Sequence, residues 1–185
     1  MYLIVGLGNP EPEYSFTRHN MGVDVVNKLS QKYNIEMDKS GFKSIYGIGT
    51  MENEKVILCK PQTYMNLSGD SVQEIVNFYK IPTQNIIVIF DDVDIETGTI
   101  RIRMKGGPGN HNGMRSLVYR LGTEDFPRVR VGTGMYEKNG DLIEYVIKKV
   151  SNDEYMKLLN GINLATEAVV EIMKNGLNSA MNKFN

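Results

Sequence analysis

The sequence predicts an α/β fold, a single-domain sandwich spanning residues 1–185 in which a twisted mixed β-sheet is flanked by helices. Three observations predict it. Strand-like runs alternate with stretches of helical periodicity along the chain, the pattern of a layered α/β domain. Ile86-Ile87-Val88-Ile89-Phe90 is apolar throughout, as a central strand covered on both faces must be. With 185 residues, 41% of them apolar and 23% charged, the chain can bury one ordinary core and lacks the composition of a disordered segment.

The elements follow in order. Tyr2–Leu7 reads as the first strand; no basic region precedes it, so it does not resemble a signal peptide. Val25, Val26, Leu29 and Tyr33 share one helical face, and Asn34–Gly41 reads as a loop. Ser44–Gly49 and Lys55–Cys59 are rich in β-formers. Val72, Ile75, Val76 and Tyr79 form a second helical stripe, with Ser71 and Glu74 at capping-box spacing. After the central strand, Thr99–Met104 alternates Ile100, Ile102 and Met104 with Arg101 and Arg103, placing both arginines on one face of a half-exposed strand. Leu117, Val118 and Leu121 form a short stripe ended by Gly122. Arg128–Gly132 alternates in the same way as Thr99–Met104, and Met135–Asp141 reads as a loop. Ser151 and Glu154 open the last helix as another capping box, and its apolar stripe runs to Met173.

Bulk properties exclude several function classes. No apolar run approaches the roughly 20 residues needed to span a bilayer. Cys59 is the only cysteine, so no intramolecular disulfide exists and a cytoplasmic setting is expected. Its apolar surroundings, Val56-Ile57-Leu58, predict a buried, inert thiol. No long apolar stripe is left to demand a partner, so a monomer is expected. The net charge of −1 is unevenly spread. Residues 101–130 hold seven basic and two acidic residues, a net +5, which leaves −6 on the remainder. Such a sector is either a polyanion footprint or an ordinary solvated face.

Polar clusters gather beyond the expected strand ends, where open α/β sheets build their sites. They are Gly6–Pro10, Thr17–Gly22, Lys60–Gly69, Asp91–Asp94 and Gly106–Gly113. The two glycine-rich pieces do not make nucleotide motifs. Glu11 stands where G-x-G-x-x-G needs its third glycine, and the second piece lacks the G-K-[ST] ending. A bare phosphate cradle at the helix start near Asn112 stays open, and with it a nucleotide- or phosphate-binding enzyme. The only two histidines, His19 and His111, both precede Asn in polar loops. They and Asp91 could supply three metal ligands, but they are far apart in sequence and no paired-ligand spacing accompanies them, so no metal is expected. Asp91, Asp92 and Asp94 suit a divalent ion or an ordinary turn.

Five blocks then occur in order: Val5-Gly6-Leu7-Gly8-Asn9-Pro10 with Tyr14; Thr17-Arg18-His19-Asn20-x-Gly22; Pro61-x-Thr63-Tyr64-Met65-Asn66-x-Ser68-Gly69; Asp91-x-x-Asp94; and Gly106-Gly107-x-x-x-His111-Asn112-Gly113. Together they resemble the bacterial-type peptidyl-tRNA hydrolase family over residues 2 to at least 134. The resemblance implies an esterase that cuts peptide from tRNA, with no cofactor. It implies His19 as the general base that activates water, oriented by Asp91 as a carboxylate orients a triad histidine. It implies Asn9, Asn66 and Asn112 as amides at the cleft, with Asn9 telling blocked peptidyl-tRNA from free aminoacyl-tRNA. Tyr14, Tyr64, Asn66 and Asn112 match tRNA contacts, and Met65 either lines the cleft or simply packs. Arg103 and Arg130, both inside the +5 sector, match a clamp for the tRNA 5′-phosphate. His111 either serves the site or holds its loop. The chain departs from the family pattern at Pro108 and Asn110 in the glycine loop, at Thr133 and Met135, and at Tyr64 in place of Phe. Pro108 is expected to stiffen the loop carrying His111 and Asn112. A non-catalytic RNA-binding relative would keep the basic sector without needing His19, Asp91 and the three asparagines together.

Overall fold

Strand β1 (Tyr2–Gly6) lies at the middle of the sheet because both of its faces are apolar. Leu3 and Val5 point to one face and Ile4 to the other, and all three are fully buried. The computed structural model describes residues 1–134, 136 and 140–185. Among them, β2 (Lys39–Gly41), β3 (Ser44–Met51), β4 (Glu54–Pro61), β5 (Ile86–Asp92), β6 (Ile100–Arg103) and β7 (Arg128–Gly132) complete one seven-stranded sheet. Its order is β2-β3-β4-β1-β5-β7-β6. The inner strands β4, β1, β5 and β7 pair in parallel, and β2, β3 and β6 join antiparallel, so the sheet is mixed as expected.

Helices α1 (Met21–Tyr33), α5 (Asn152–Asn175) and α6 (Leu177–Phe184) cover one face. Val25, Val26 and Leu29 of α1 and Leu158, Ile162 and Val169 of α5 pack there on Ile4, Leu58, Ile87 and Val129. Helices α2 (Ser68–Tyr79) and α3 (Asn112–Leu121) cover the other, where Val72, Ile75, Met114 and Leu117 meet Val5, Ile57, Val88 and Phe90. The short α4 (Leu142–Ile147) sits at the carboxyl end of the sheet. Strand β1 is followed by α1 on one face, and β4 and β5 lie on either side of it. The strand order therefore reverses beside β1, which opens a crevice above its carboxyl end.

Four local expectations are corrected. Residues 39–41 form an edge strand and not part of a loop. Their Lys-Ser-Gly sequence carries no β signal; the pairing is imposed by a two-residue turn in which Phe42 and Lys43 both take φ near 52°. Helix α2 starts at Ser68, because the 3-10 turn Met65–Leu67 already winds the chain, and Ser71 is buried inside the helix instead of capping it. Helices α4 and α6 were not expected. Asp141 caps the first, accepting from the backbone of Ile143 at 2.8 Å, and Gly176 at φ 91° separates the second from α5. Of the capping box at Ser151, half is formed: Ser151 Oγ accepts from Glu154 N at 3.2 Å, while the Glu154 carboxylate turns to Arg18. Of the expected loop Met135–Asp141, residues 135 and 137–139 lie outside the described residues. The exposed edge of β6 is closed by the last residue: the Asn185 amide exchanges hydrogen bonds of 2.7 and 2.9 Å with the backbone of Ile102.

Candidate active site

Two glycines bring the first site residue to the sheet. A Cβ on Gly22 would stand 2.2 Å from the Ile89 carbonyl oxygen, and one on Gly6 would stand 2.2 Å from the Gly22 carbonyl oxygen. The start of α1 therefore touches the backbones of β1 and β5, a distance that only glycine permits. His19 lies on the 3-10 turn Arg18–Asn20 just before that contact. Arg18 anchors the turn from behind. Its buried guanidinium donates to the Tyr145 carbonyl oxygen at 3.2 Å, pairs with Glu154 and stacks 3.9 Å over the Tyr145 ring. With Arg18 tied to α4 and α5, the His19 ring is left facing the sheet end.

Asp91 stands next to last in β5 and is 3% exposed. The Nδ1 of His19 lies 2.9 Å from both carboxylate oxygens, and His111 Nε2 lies 2.8 Å from Oδ1. The His111 tautomer is settled by its own helix: as the N-cap of α3, its Nδ1 accepts from Met114 N at 3.3 Å, so Nε2 carries the proton and donates to Asp91. Its ring also stands edge-on to Phe90, with centroids 5.0 Å apart. His111 thus holds the loop and serves the carboxylate at once. Burial alone would raise the Asp91 pKa, but the two imidazoles outweigh it and hold the carboxyl well below its usual range. For His19, burial pulls the pKa down, and the charge and hydrogen bond of Asp91 overcome this and raise it above 6.5. An ionised Asp91 fixes His19 with its proton on Nδ1, which leaves the Nε2 lone pair free.

Asn9 follows β1 and is held on three sides. Its backbone N–H donates to Asn20 Oδ1 at 2.9 Å, its carbonyl oxygen accepts from Asn20 Nδ2 at 3.0 Å, and its own Oδ1 accepts from Met65 N at 3.0 Å. That last bond identifies the amide oxygen and leaves Nδ2 as a donor. Asn20 is a positioning residue that the sequence reading passed over, although it stands beside His19 in the same block.

One cavity of about 650 Å³ collects every expected site residue: Asn9, Tyr14, His19, Tyr64, Met65, Asn66, Asp91, Arg103, His111, Asn112 and Arg130. His19, Asn9, Met65 and Asp91 are buried at its base, while Tyr64, Asn66, Asn112 and Arg103 are exposed along it. Leu142, Ile143, Val146 and Ile147 of α4 add an apolar wall that the sequence did not announce. The basic end carries Lys105, Arg103 and Arg130, with Arg130 Nε bonded to Asp92 Oδ2 at 2.7 Å.

Arg128 departs from its expected half-exposed place. It is 2% exposed and donates to the carbonyl oxygens of Gly106 at 2.6 Å, Gly107 at 3.3 Å and Glu124 at 2.7 Å. It braces the glycine loop that carries His111, with its guanidinium donors committed to backbone carbonyls. The aspartate triplet does turn work: Asp92 Oδ1 accepts from Asp94 N at 2.9 Å. The residues that do converge are His19, Asp91 and His111, despite their separation in sequence. Cys59 is fully buried, and burial pushes its thiol up to about 12, so it is inert. No helix of the described residues is long and apolar enough to cross a membrane.

Comparison with known proteins agrees with this geometry. The family model for peptidyl-tRNA hydrolase matches residues 3–185. The chain is 52% identical over its whole length to a peptidyl-tRNA hydrolase of Clostridium botulinum (strain Alaska E43 / Type E3), covering 96% of that relative. It is likewise 52% identical to one from Caldanaerobacter subterraneus subsp. tengcongensis, with both chains fully covered. The crystal structure of peptidyl-tRNA hydrolase from Acinetobacter baumannii superposes with a TM-score of 0.93 at 37% identity, over all of this chain and 94% of that one. The chain belongs to the peptidyl-tRNA hydrolase family.

Proposed function

We infer that the protein, acting as one domain and as a monomer in the cytoplasm, hydrolyses the ester between a peptide and the terminal ribose of tRNA. The observation that carries this reading is the pair formed by His19 Nδ1 and the buried Asp91 carboxylate, 2.9 Å apart at the base of an open cleft. His19 Nε2 takes a proton from water, and the resulting hydroxide attacks the ester carbonyl carbon. Asp91 stabilises the imidazolium that forms. The Asn9 Nδ2 donor stabilises the oxyanion of the tetrahedral intermediate. When the bond from that carbon to the ribose oxygen breaks, the imidazolium returns its proton to the ribose oxygen. The products are a free peptide carboxylic acid and a tRNA with its terminal hydroxyl restored. No serine or cysteine nucleophile takes part.

The exposed amides of Asn66 and Asn112 and the rings of Tyr14 and Tyr64 receive the 3′ end of tRNA, since splayed nucleotides are held by stacking and amide hydrogen bonds. Met65 and the apolar wall of α4 suit the acyl chain. Arg103, with Arg130 beside it, takes the 5′-phosphate of the acceptor stem. Contacts of this kind read backbone and shape, so no sequence preference follows from them. The test is a comparison of N-acetylaminoacyl-tRNA with the same tRNA carrying an unblocked amino acid. Turnover of the blocked ester and little turnover of the free amine is expected. Equal turnover would remove the expected discrimination against a free amino group, and turnover of neither would remove the assigned substrate.

A further inference from the structure

His19, Asp91 and His111 form a set that hydrolysis uses only in part. One ligand atom from each lies within 4.8 Å of the other two. Two imidazole nitrogens and one carboxylate oxygen are the donors that late first-row divalent ions prefer, whereas Mg²⁺ favours six oxygens. The set lies at the base of the cleft, so an ion can reach it and can keep a water in its remaining position. The chain has no other histidine, and its only cysteine is buried in the sheet. An ion of this class therefore finds no competing imidazole or accessible thiol elsewhere on the molecule.

We propose that this triad captures Zn²⁺, or a similar transition-metal ion, and that the bound ion switches the enzyme off. The inhibition rests on the reading of His19 as the base. The ion would bind His19 Nδ1, Asp91 and His111 Nε2. Ligand atoms around a tetrahedral ion with bonds of about 2.1 Å stand about 3.4 Å apart. The present contacts of 2.8 and 2.9 Å would therefore open by roughly half an ångström, within reach of side-chain rotation. A ring that gives Nδ1 to the ion keeps its one proton on Nε2. His19 then presents an N–H where hydrolysis needs a lone pair, and it cannot take a proton from water. His111 would release its proton from Nε2, carry its one proton on Nδ1 instead, and give up the 3.3 Å bond from Met114 N. That loss makes the site weaker than a dedicated zinc site and the capture reversible.

The experiment titrates the full chain, without tRNA, with Zn²⁺ and Co²⁺ against a chromophoric chelator. One ion per chain is expected, with visible d–d absorption for Co²⁺. His19→Asn and His111→Asn should each weaken binding by at least about tenfold. If either variant fails to fold by circular dichroism, paramagnetic shifts of the two imidazoles by Co²⁺ in the unmodified chain report the same ligands. Hydrolysis should fall as the site fills and return when chelator is added. The proposal is overturned if binding does not saturate, if both variants bind as tightly as the unmodified chain, or if the zinc-loaded enzyme turns over at full rate. Failure of the hydrolytic reading would look different: His19→Ala would stay active, and the binding result would be untouched.

Discussion

Replacing Asp91 with Asn tests the site at its most constrained atom. The carboxylate is buried and accepts from two imidazoles at once. With no ion bound, Met114 N keeps the Nδ1 of His111 as an acceptor, so its Nε2–H must find an oxygen. In Asp91→Asn the amide oxygen is therefore drawn to the Oδ1 position, and the amide nitrogen takes the Oδ2 position 2.9 Å from His19 Nδ1. An N–H there competes with the amide oxygen, also 2.9 Å from Nδ1, and so weakens the hold on the tautomer that leaves Nε2 free. The charge that stabilises the imidazolium is lost as well. A comparable carboxylate-to-amide change in a serine protease triad lowers kcat by about 10⁴-fold, so a fall of about 10³–10⁴-fold is expected here, or roughly 4–5 kcal/mol on the barrier. Asp91 is too buried to touch tRNA, so KM should hardly move. Steady-state hydrolysis of N-acetylaminoacyl-tRNA, with circular dichroism to check folding, measures both. A loss smaller than tenfold, or one lying wholly in KM, would refute the orienting role.

Further outcomes follow from the same contacts. Activity should rise with pH as His19 loses its proton, with a midpoint above 6.5 because Asp91 raises that pKa; a kcat profile flat from pH 5 to 8 would contradict it. The same shift sets a stability window: with Asp91 ionised, the His19 imidazolium contributes fully below about 6.5, and its contribution fades as pH rises through the raised value, which thermal melts can follow. In Gly22→Ala the new methyl meets the Ile89 carbonyl oxygen, so a loss of roughly 3 kcal/mol in urea unfolding is expected, with reduced turnover. Arg103→Ala should raise KM and lower the salt slope of tRNA binding by about one, since its exposed side chain has no carboxylate partner among the described residues. Arg130→Ala should change that slope less, because Asp92 already offsets its charge.

The fold was legible where burial dictates residue type. The apolar run Ile86–Phe90 predicts a central strand and becomes one, fully buried, because helices cover both faces of the sheet. Elements held by tertiary contacts were not legible. Strand β2 is made by a turn whose two residues, Phe42 and Lys43, are neither glycine nor asparagine, and α4 is pinned by Arg18 from 127 residues away. The site followed the same division. His19 and Asn9 stand in short motifs whose glycines force a close approach, and Asp91 follows the apolar run of a buried strand, so their places could be read before their distances were known. The charge of Arg128 could be counted in advance, but whether it faced a phosphate or backbone carbonyls depended on the path of the glycine loop around it. Asn20 lay in plain view in its motif; its task appears only once its amide is seen spanning the Asn9 backbone.

Single-turnover hydrolysis of N-acetylaminoacyl-tRNA by the unmodified chain and by His19→Ala tests the central claim most directly. With the fold intact and tRNA still bound, the variant should lose nearly all of its rate at every pH. A variant that cleaves at the unmodified rate would show that the proton is taken by another group.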